Sequence, residues 1–152
     1  MKWLFLLLIV AVLFMPFTSA RTVMAAPAQQ AAGNGMIDTW VIVDNDRNGI
    51  YSTGDVGLSD VVVCLRNTRT NWNSCVGTDQ GDTWWEDLPA GRYAATVDKT
   101  TVPAGYKLNS IRCYDTVTNK IFKCDTYKST WRAYANLSND TRINIFFALV
   151  PN

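Results

Sequence analysis

Apolar residues after position 35 come in short runs that are separated by glycine, proline, asparagine and aspartate. The first run, 37–43, alternates at first and then becomes continuously apolar, and it is rich in the β-branched and aromatic residues that strands favour. No segment has the spacing of an amphipathic helix. The predicted strands are 37–43, 61–65, 74–79, 83–86, 93–97, 106–115, 121–127 and 142–150. Short strands with frequent turns predict an all-β domain, either a sandwich or a barrel.

The amino-terminal residues have a different character. Met1 and Lys2 precede an apolar run over 3–17 and then small residues, which is the pattern of a secretory signal peptide. The run is short for a membrane span, and an uncleaved anchor is the alternative. We predict a signal peptide over 1–25, cleaved near residue 20 or 25, a flexible leader over 26–35 and one β-domain over 36–152. The predicted location is extracellular, with no membrane association after cleavage.

Between the first two predicted strands lies the loop 44–55, with the sequence DNDRNGIYSTGD. Its candidate ligands are the side chains of Asp44, Asp46, Asn48, Ser52 and Asp55 and the backbone carbonyl of Ile50. They occupy the ligand positions of a twelve-residue calcium loop, in which alternate residues point oxygens at a hard cation. Gly49 falls where such loops need a sharp turn. The sequence therefore predicts a bound Ca²⁺ ion.

One ligand position of this loop departs from the usual calcium loop, and a loop without metal is the alternative interpretation. Asp55 stands where glutamate is usual, and its shorter side chain favours one coordinating oxygen and weaker binding. The alternative is a turn without metal, because Asp, Asn and Gly also favour turns through their own local hydrogen bonds. A flanking strand on each side, where a helix would be expected, argues against a paired EF-hand.

The four cysteines fall into two pairs with equal separation, Cys64 with Cys75 and Cys113 with Cys124. Export to an oxidising compartment favours disulfides, and the absence of histidine and of close Cys-x-x-Cys spacing argues against zinc. Of the three possible connectivities, local pairing across two neighbouring hairpins needs the least rearrangement of the chain. We therefore predict both local bridges.

Residues 43–106 resemble the B-type repeat domain of bacterial serine-aspartate repeat surface proteins, a relative of the collagen-adhesin B-type and prealbumin-like sandwiches. The matching segments are 44–49 (DNDRNG), 54–58 (GDVGL), 61–65 (VVVCL), 78–81 (TDQG), 88–93 (LPAGRY) and 103–106 (PAGY). The resemblance implies a Greek-key-like sandwich of about seven or eight strands, calcium at the first loop and a structural or adhesive role at the cell surface. Related modules form an isopeptide bond from a lysine of the first strand. Residues 40–43 contain no lysine, so no isopeptide bond is expected here.

The same resemblance implies a second, weaker metal candidate at Asp79 and Asp82, for which a plain hairpin turn is the alternative. It also leaves the stalk role open, because the chain has one module, four cysteines and no sorting motif near Asn152. We expect the protein to be released or held by a partner.

Composition narrows the function classes. Because the chain has no histidine, the common catalytic pairs of a serine or cysteine nucleophile with a histidine base cannot form, and no enzyme activity is predicted. The formal charge of +1 falls to 0 or −1 once Lys2, and with late cleavage Arg21, is removed, so no nucleic-acid partner is expected. The expected partners are calcium and a surface protein or polysaccharide. The alternative function is a carbohydrate-binding module that uses Tyr127, Trp131 and Tyr134, against which stands ordinary packing of these rings.

Overall fold

Eleven β-strands and two short 3₁₀ helices form the framework of residues 33–152, the part of the chain that the computed structural model describes. The strands are β1 (Gly35–Val43), β2 (Val56–Gly57), β3 (Val62–Asn67), β4 (Asn73–Gly77), β5 (Asp82–Leu88), β6 (Gly91–Val97), β7 (Tyr106–Asp115), β8 (Lys120–Phe122), β9 (Asp125–Tyr127), β10 (Arg132–Leu137) and β11 (Arg142–Pro151). The 3₁₀ helices are Lys99–Thr101 and Lys128–Thr130. The strands form two sheets, and the predicted β-sandwich is confirmed.

The first sheet is built around β1 and β11, which pair in parallel from Met36 opposite Arg142 to Val43 opposite Leu149. β7 pairs antiparallel with β11, and β8 with β7. On its other edge β1 pairs with β5 and, at its last two residues, with β2. Residues 41–43 and 145–150 are buried on both faces of this sheet, which explains why these runs are continuously apolar.

The second sheet is antiparallel throughout, in the order β4-β3-β6-β10-β9. Its inward residues on β6 and β10 include the small side chains Ala95, Ala133 and Ala135. They share the core with the wholly buried rings of Tyr93 and Phe147. Small residues opposite large ones allow two curved sheets to pack without voids.

Three differences separate the strands from the sequence-based expectation, the smallest being that the two-residue strand β2 was not predicted. The segment 121–127, predicted as one strand, is broken at Lys123 and Cys124, and its halves β8 and β9 belong to different sheets. β10 was not predicted at all. Its inward positions alternate correctly, but two of the three are alanine, which is depleted in strands. The expectation of seven or eight strands was therefore too low.

Both predicted disulfides are present, Cys64–Cys75 and Cys113–Cys124. The first joins directly opposite residues of β3 and β4. The second reaches further than a hairpin staple, because Cys113 lies in β7 while Cys124 lies after β8, where the chain crosses between the sheets. It therefore ties the crossing segment to the core.

The predicted signal peptide and residues 26–32 of the predicted leader lie outside the described residues. β1 begins at Gly35, and the N–H of Gly33 donates to the carbonyl of Asp87 at 2.8 Å. Between residues 33 and 152, no helix has the length and apolar character needed to cross a membrane.

Candidate metal centre

The loop 44–55 lies on the outer face of the first sheet. It begins where β1 ends, and the N–H of Asp44 donates to the carbonyl of Leu149 at 2.8 Å. Gly49 has a φ of 84°, and a Cβ atom at this position would approach Ser110 Oγ to 2.8 Å and Arg112 Cγ to 2.9 Å. Glycine is therefore required here both for the turn and for the close approach to β7.

The loop also completes a second, smaller apolar cluster. Ile42, Phe146 and Ala148 point away from the main core, and Ile50 of the loop packs against them. The ring of Trp40 stacks on Tyr51 of the loop with centroids 5.0 Å apart. The loop thus covers the outer face of the first sheet. If it moved away, Ile42, Phe146 and Ala148 would lose part of their burial.

Three carboxylates of the loop converge. One oxygen from each of Asp44, Asp46 and Asp55 lies within 4.8 Å of the others. Asp44 and Asp55 are buried, at 1% and 9% exposure, while Asp46 is exposed to solvent. The twelve-residue spacing therefore brings together the three acidic side chains that the sequence singled out.

Backbone N–H groups hold two of these carboxylates in place. Asp44 Oδ2 accepts from the N–H of Gly49 at 3.0 Å. Asp55 accepts from the N–H of Asn45 and from the N–H of Ser52, both at 2.8 Å. Asn45, which the sequence analysis did not single out, also fastens the loop through its side chain, which donates to the carbonyl of Gly54 at 2.6 Å.

One oxygen in this cluster has no hydrogen-bond partner. Asp44 Oδ1 is buried, and among the described residues no group donates to it. A buried carboxylate oxygen without a donor or a cation is unfavourable by several kcal/mol in order of magnitude. A cation at this position would supply the missing partner.

Two further predicted ligands, Ser52 and Asn48, contact the carboxylates through different atoms. Ser52 Oγ lies 2.9 Å from a carboxylate oxygen of Asp46 and 3.0 Å from one of Asp55, and its single hydroxyl proton can be donated to either of them. Asn48 turns its amide nitrogen toward Asp46, at 2.6 Å, while its oxygen accepts from the N–H of Ile50 at 2.8 Å. Asn48 can offer oxygen to an ion from this position only after its amide turns over.

The pKa values follow from this environment. Burial raises the pKa of the Asp44 carboxyl, and the charges of Asp55 and Asp46 add to the rise, against a hydrogen bond from Gly49. Hydrogen bonds from the N–H of Asn48 and the hydroxyl of Ser52 lower the pKa of Asp46. The part of the rise at Asp44 that comes from neighbouring negative charge is the part that a cation would relieve.

The donor set fits a hard divalent cation. It consists of carboxylate and hydroxyl oxygens, with neither imidazole nor thiolate, and Asp46 faces solvent, where water can complete the coordination. Asp44, Asp46, Asp55 and Ser52 would hold the ion.

Asp79 and Asp82, the second metal candidate, flank a tight turn. Their backbones exchange hydrogen bonds of 2.9 and 3.1 Å, and the intervening Gln80 and Gly81 have φ values of 51° and 101°. Within residues 33–152, Asp44, Asp46 and Asp55 make the only grouping of three or more potential metal-binding side chains. The hairpin turn accounts for the local sequence.

The three aromatic residues proposed to bind sugar do not lie together. Tyr127 and Tyr134 form an edge-to-face pair with ring centroids 5.7 Å apart on the outer face of the second sheet. Trp131 instead packs partly buried against the main core, from a left-handed backbone conformation with a φ of 48°. The sequence could not foresee this separation, because the reversal at Trp131 depends on the preceding 3₁₀ helix.

Comparison of the chain with known protein families gives no match, and comparison with curated proteins gives none either.

Proposed function

We propose that this protein is a secreted, non-catalytic β-sandwich module that calcium stabilises, and that it serves as a structural or adhesive component of a bacterial cell surface or matrix. The observation that carries the proposal is the convergence of Asp44, Asp46 and Asp55 around a buried, unpartnered oxygen of Asp44. The resemblance to B-type surface modules and the predicted signal peptide support the location. The two disulfides suit an oxidising compartment.

The stabilisation arises from the position of the loop. Without a cation, repulsion among three carboxylates within 4.8 Å opposes closure of the loop. The loop covers Ile42 and Phe146, so any opening exposes apolar surface on the first sheet. Calcium therefore links a local electrostatic contact to the burial of a second apolar cluster.

Calcium binding is tested by calorimetry and thermal melting of the mature protein. Extracellular calcium modules bind with dissociation constants of about 0.1 to 1 mM, and Asp55 in place of glutamate favours the weak end. At tenfold the dissociation constant, the ion adds about 1.4 kcal/mol to the free energy of unfolding. The melting temperature is then expected to be roughly 5 °C higher in 10 mM calcium than in chelator.

Matched variants assign the effect to the loop. The double variant Asp44→Asn with Asp46→Asn is expected to lose both the binding heat and the calcium-dependent shift. Asp115→Asn is the control, because Asp115 also accepts backbone hydrogen bonds in a turn but lies outside the cluster. If the unmodified protein melts at one temperature in calcium and in chelator and shows no binding heat, the loop is only a turn.

A further inference from the structure

A shallow groove crosses the outer face of the second sheet. Its volume is about 550 Å³, and its lining comes from all five strands of this sheet and from Thr68 next to β3. The small side chain of Ala94 lies between Arg66 of β3 and Tyr134 of β10 in the strand register. A short residue between long ones on neighbouring strands leaves a depression in an otherwise flat sheet face.

Three of the lining side chains are arginines, Arg66, Arg92 and Arg132, and none is a carboxylate. Arg66 and Arg132 lie two strands apart, roughly 10 Å across the sheet. The groove is therefore a concentrated positive surface on a chain whose overall charge is close to neutral.

Within the described part of the chain, two of these arginines have no carboxylate partner. Arg66 donates to the side-chain oxygen of Asn71 at 2.6 Å, and Arg132 donates to Thr96 Oγ1 at 2.9 Å. The ion pairs found among residues 33–152 are Arg92 with Asp125 and Arg142 with Asp38, and neither includes Arg66 or Arg132. Neutral acceptors hold both guanidinium groups in position and leave their charges available to a ligand anion.

Aromatic rings form the other end of the groove. Tyr127 is 52% exposed and meets Tyr134 edge to face, while the guanidinium of Arg92 lies 4.8 Å from the centre of the Tyr134 ring. Arg92 is also held by Asp125 at 2.6 Å. The ring of Tyr127 is thus fixed at its edge and free to stack on a ligand.

We propose that this groove binds an acidic polysaccharide, with Arg66 and Arg132 binding its carboxylate or sulfate groups and Tyr127 stacking on a sugar ring. Charge complementarity favours an anion, and the open shape suits an extended chain. The position of the groove on the face of the sheet favours a glycan over an acidic peptide. Peptides that bind β-sheets commonly add as a strand at an edge, whereas the three arginines of the groove lie on the inner strands β3, β6 and β10, whose backbone groups are already paired. The inference goes beyond the calcium module, because it concerns the opposite sheet and needs no metal.

The test is calorimetric titration of the mature protein, in chelator and at low salt, with four polymers. Polygalacturonate and dextran sulfate represent carboxylate and sulfate glycans, neutral dextran is the uncharged control, and polyglutamate represents acidic peptides. We expect binding to one or both acidic glycans, at least fivefold weaker binding to polyglutamate, and none to dextran. Added salt should weaken the binding, since ions compete for the arginines.

Variants locate the binding in the groove. Arg66→Gln and Arg132→Gln are each expected to weaken glycan binding at least fivefold, and Tyr127→Ala severalfold. Lys107→Gln, which removes the same charge from an exposed position on the first sheet, should leave it unchanged. Arg132→Lys keeps the charge without the planar guanidinium group, so its glycan binding should be weaker than that of the unmodified protein and stronger than that of Arg132→Gln. Unchanged melting temperatures of the variants show that the fold is intact.

Three outcomes overturn the proposal. One is the absence of binding to either acidic glycan. Another is polyglutamate binding that equals glycan binding and is unaffected by Tyr127→Ala, which would assign the groove to acidic peptides. The third is a loss with Lys107→Gln as large as that with Arg132→Gln, which would indicate unspecific attraction. Because all titrations are in chelator, failure here leaves the calcium proposal untouched, and failure of calcium binding leaves the groove untouched.

Discussion

The outer faces of the two sheets meet solvent in different ways. On the first sheet, the loop 44–55 covers Ile42, Phe146 and Ala148, so that β1 and β11 are buried on both sides. On the second sheet, the corresponding face carries arginine and tyrosine side chains around an open groove. A sandwich needs only its inner faces to fold. One outer face has become a second site of stabilisation, and the other is left free for contacts with a ligand.

The largest expected effect comes from truncating a ring under the loop. Phe146 is 6% exposed, so Phe146→Ala should lower the free energy of unfolding by about 3 to 5 kcal/mol. Tyr134→Ala on the second sheet is the matched truncation. Its partly buried ring lies at the open groove and should contribute no more than about 1.5 kcal/mol. Urea denaturation measures both, and equal losses would contradict the contrast between a covered and an open face.

A buried carboxyl makes the covered face sensitive to pH. Burial raises the pKa of Asp38 from 3.8 to about 6, and the charge of Asp82 adds to the rise, while the nearby Trp40 and Arg142 side chains oppose it. Between pH 4 and pH 6 the unfolded chain loses this proton before the native protein does. Asp38 therefore lowers the free energy of unfolding as pH rises through this window.

The variant Asp38→Asn removes this titration. Relative to the unmodified protein, its free energy of unfolding should rise by about 2 to 2.5 kcal/mol from pH 4 to pH 7, as follows from the shift in pKa. Urea denaturation at several pH values, in chelator, provides the measurement. A constant difference between the two proteins at all pH values would show that Asp38 ionises normally in the native state.

A smaller effect separates loop contact from backbone strain. Gly49 and Gly105 have φ values of 84° and 97°, so an alanine at either position costs about 1 to 2 kcal/mol in strain. Only at Gly49 would the new methyl group also meet Ser110 and Arg112. Gly49→Ala should therefore be the more destabilising of the two and should also weaken calcium binding. Equal melting temperatures for the two variants would show that the loop does not press on β7.

The smallest effect on stability is expected at the rim of the open face. Arg92 and Asp125 form an exposed ion pair, and such pairs contribute less than about 1 kcal/mol. Asp125→Asn should leave the melting temperature nearly unchanged and strengthen polygalacturonate binding, because Arg92 is released toward the groove. Weaker binding would mean that Asp125 holds Arg92 in its binding position.

The sequence predicted the elements whose signal is local. β7 was predicted with the bounds that it has, and the spacing of the cysteines indicated both bridges. The three loop carboxylates were predicted as a group, since one short segment carries them all. β10 was missed because Ala133 and Ala135 give little local signal, and their place in the sheet depends on the partners β6 and β9.

By itself, the sequence determined the features that depend on neighbours along the chain. These features are the all-β class, the disulfide pairing and the acidic loop. Each depends on a pattern of residues that are at most about a dozen positions apart. Only the tertiary structure decided which face the loop covers, where the crossing at Cys124 falls, and that Arg66, Arg92 and Arg132 share one groove. Those arginines lie on three strands, and side chains from distant segments meet only through the register of the paired strands.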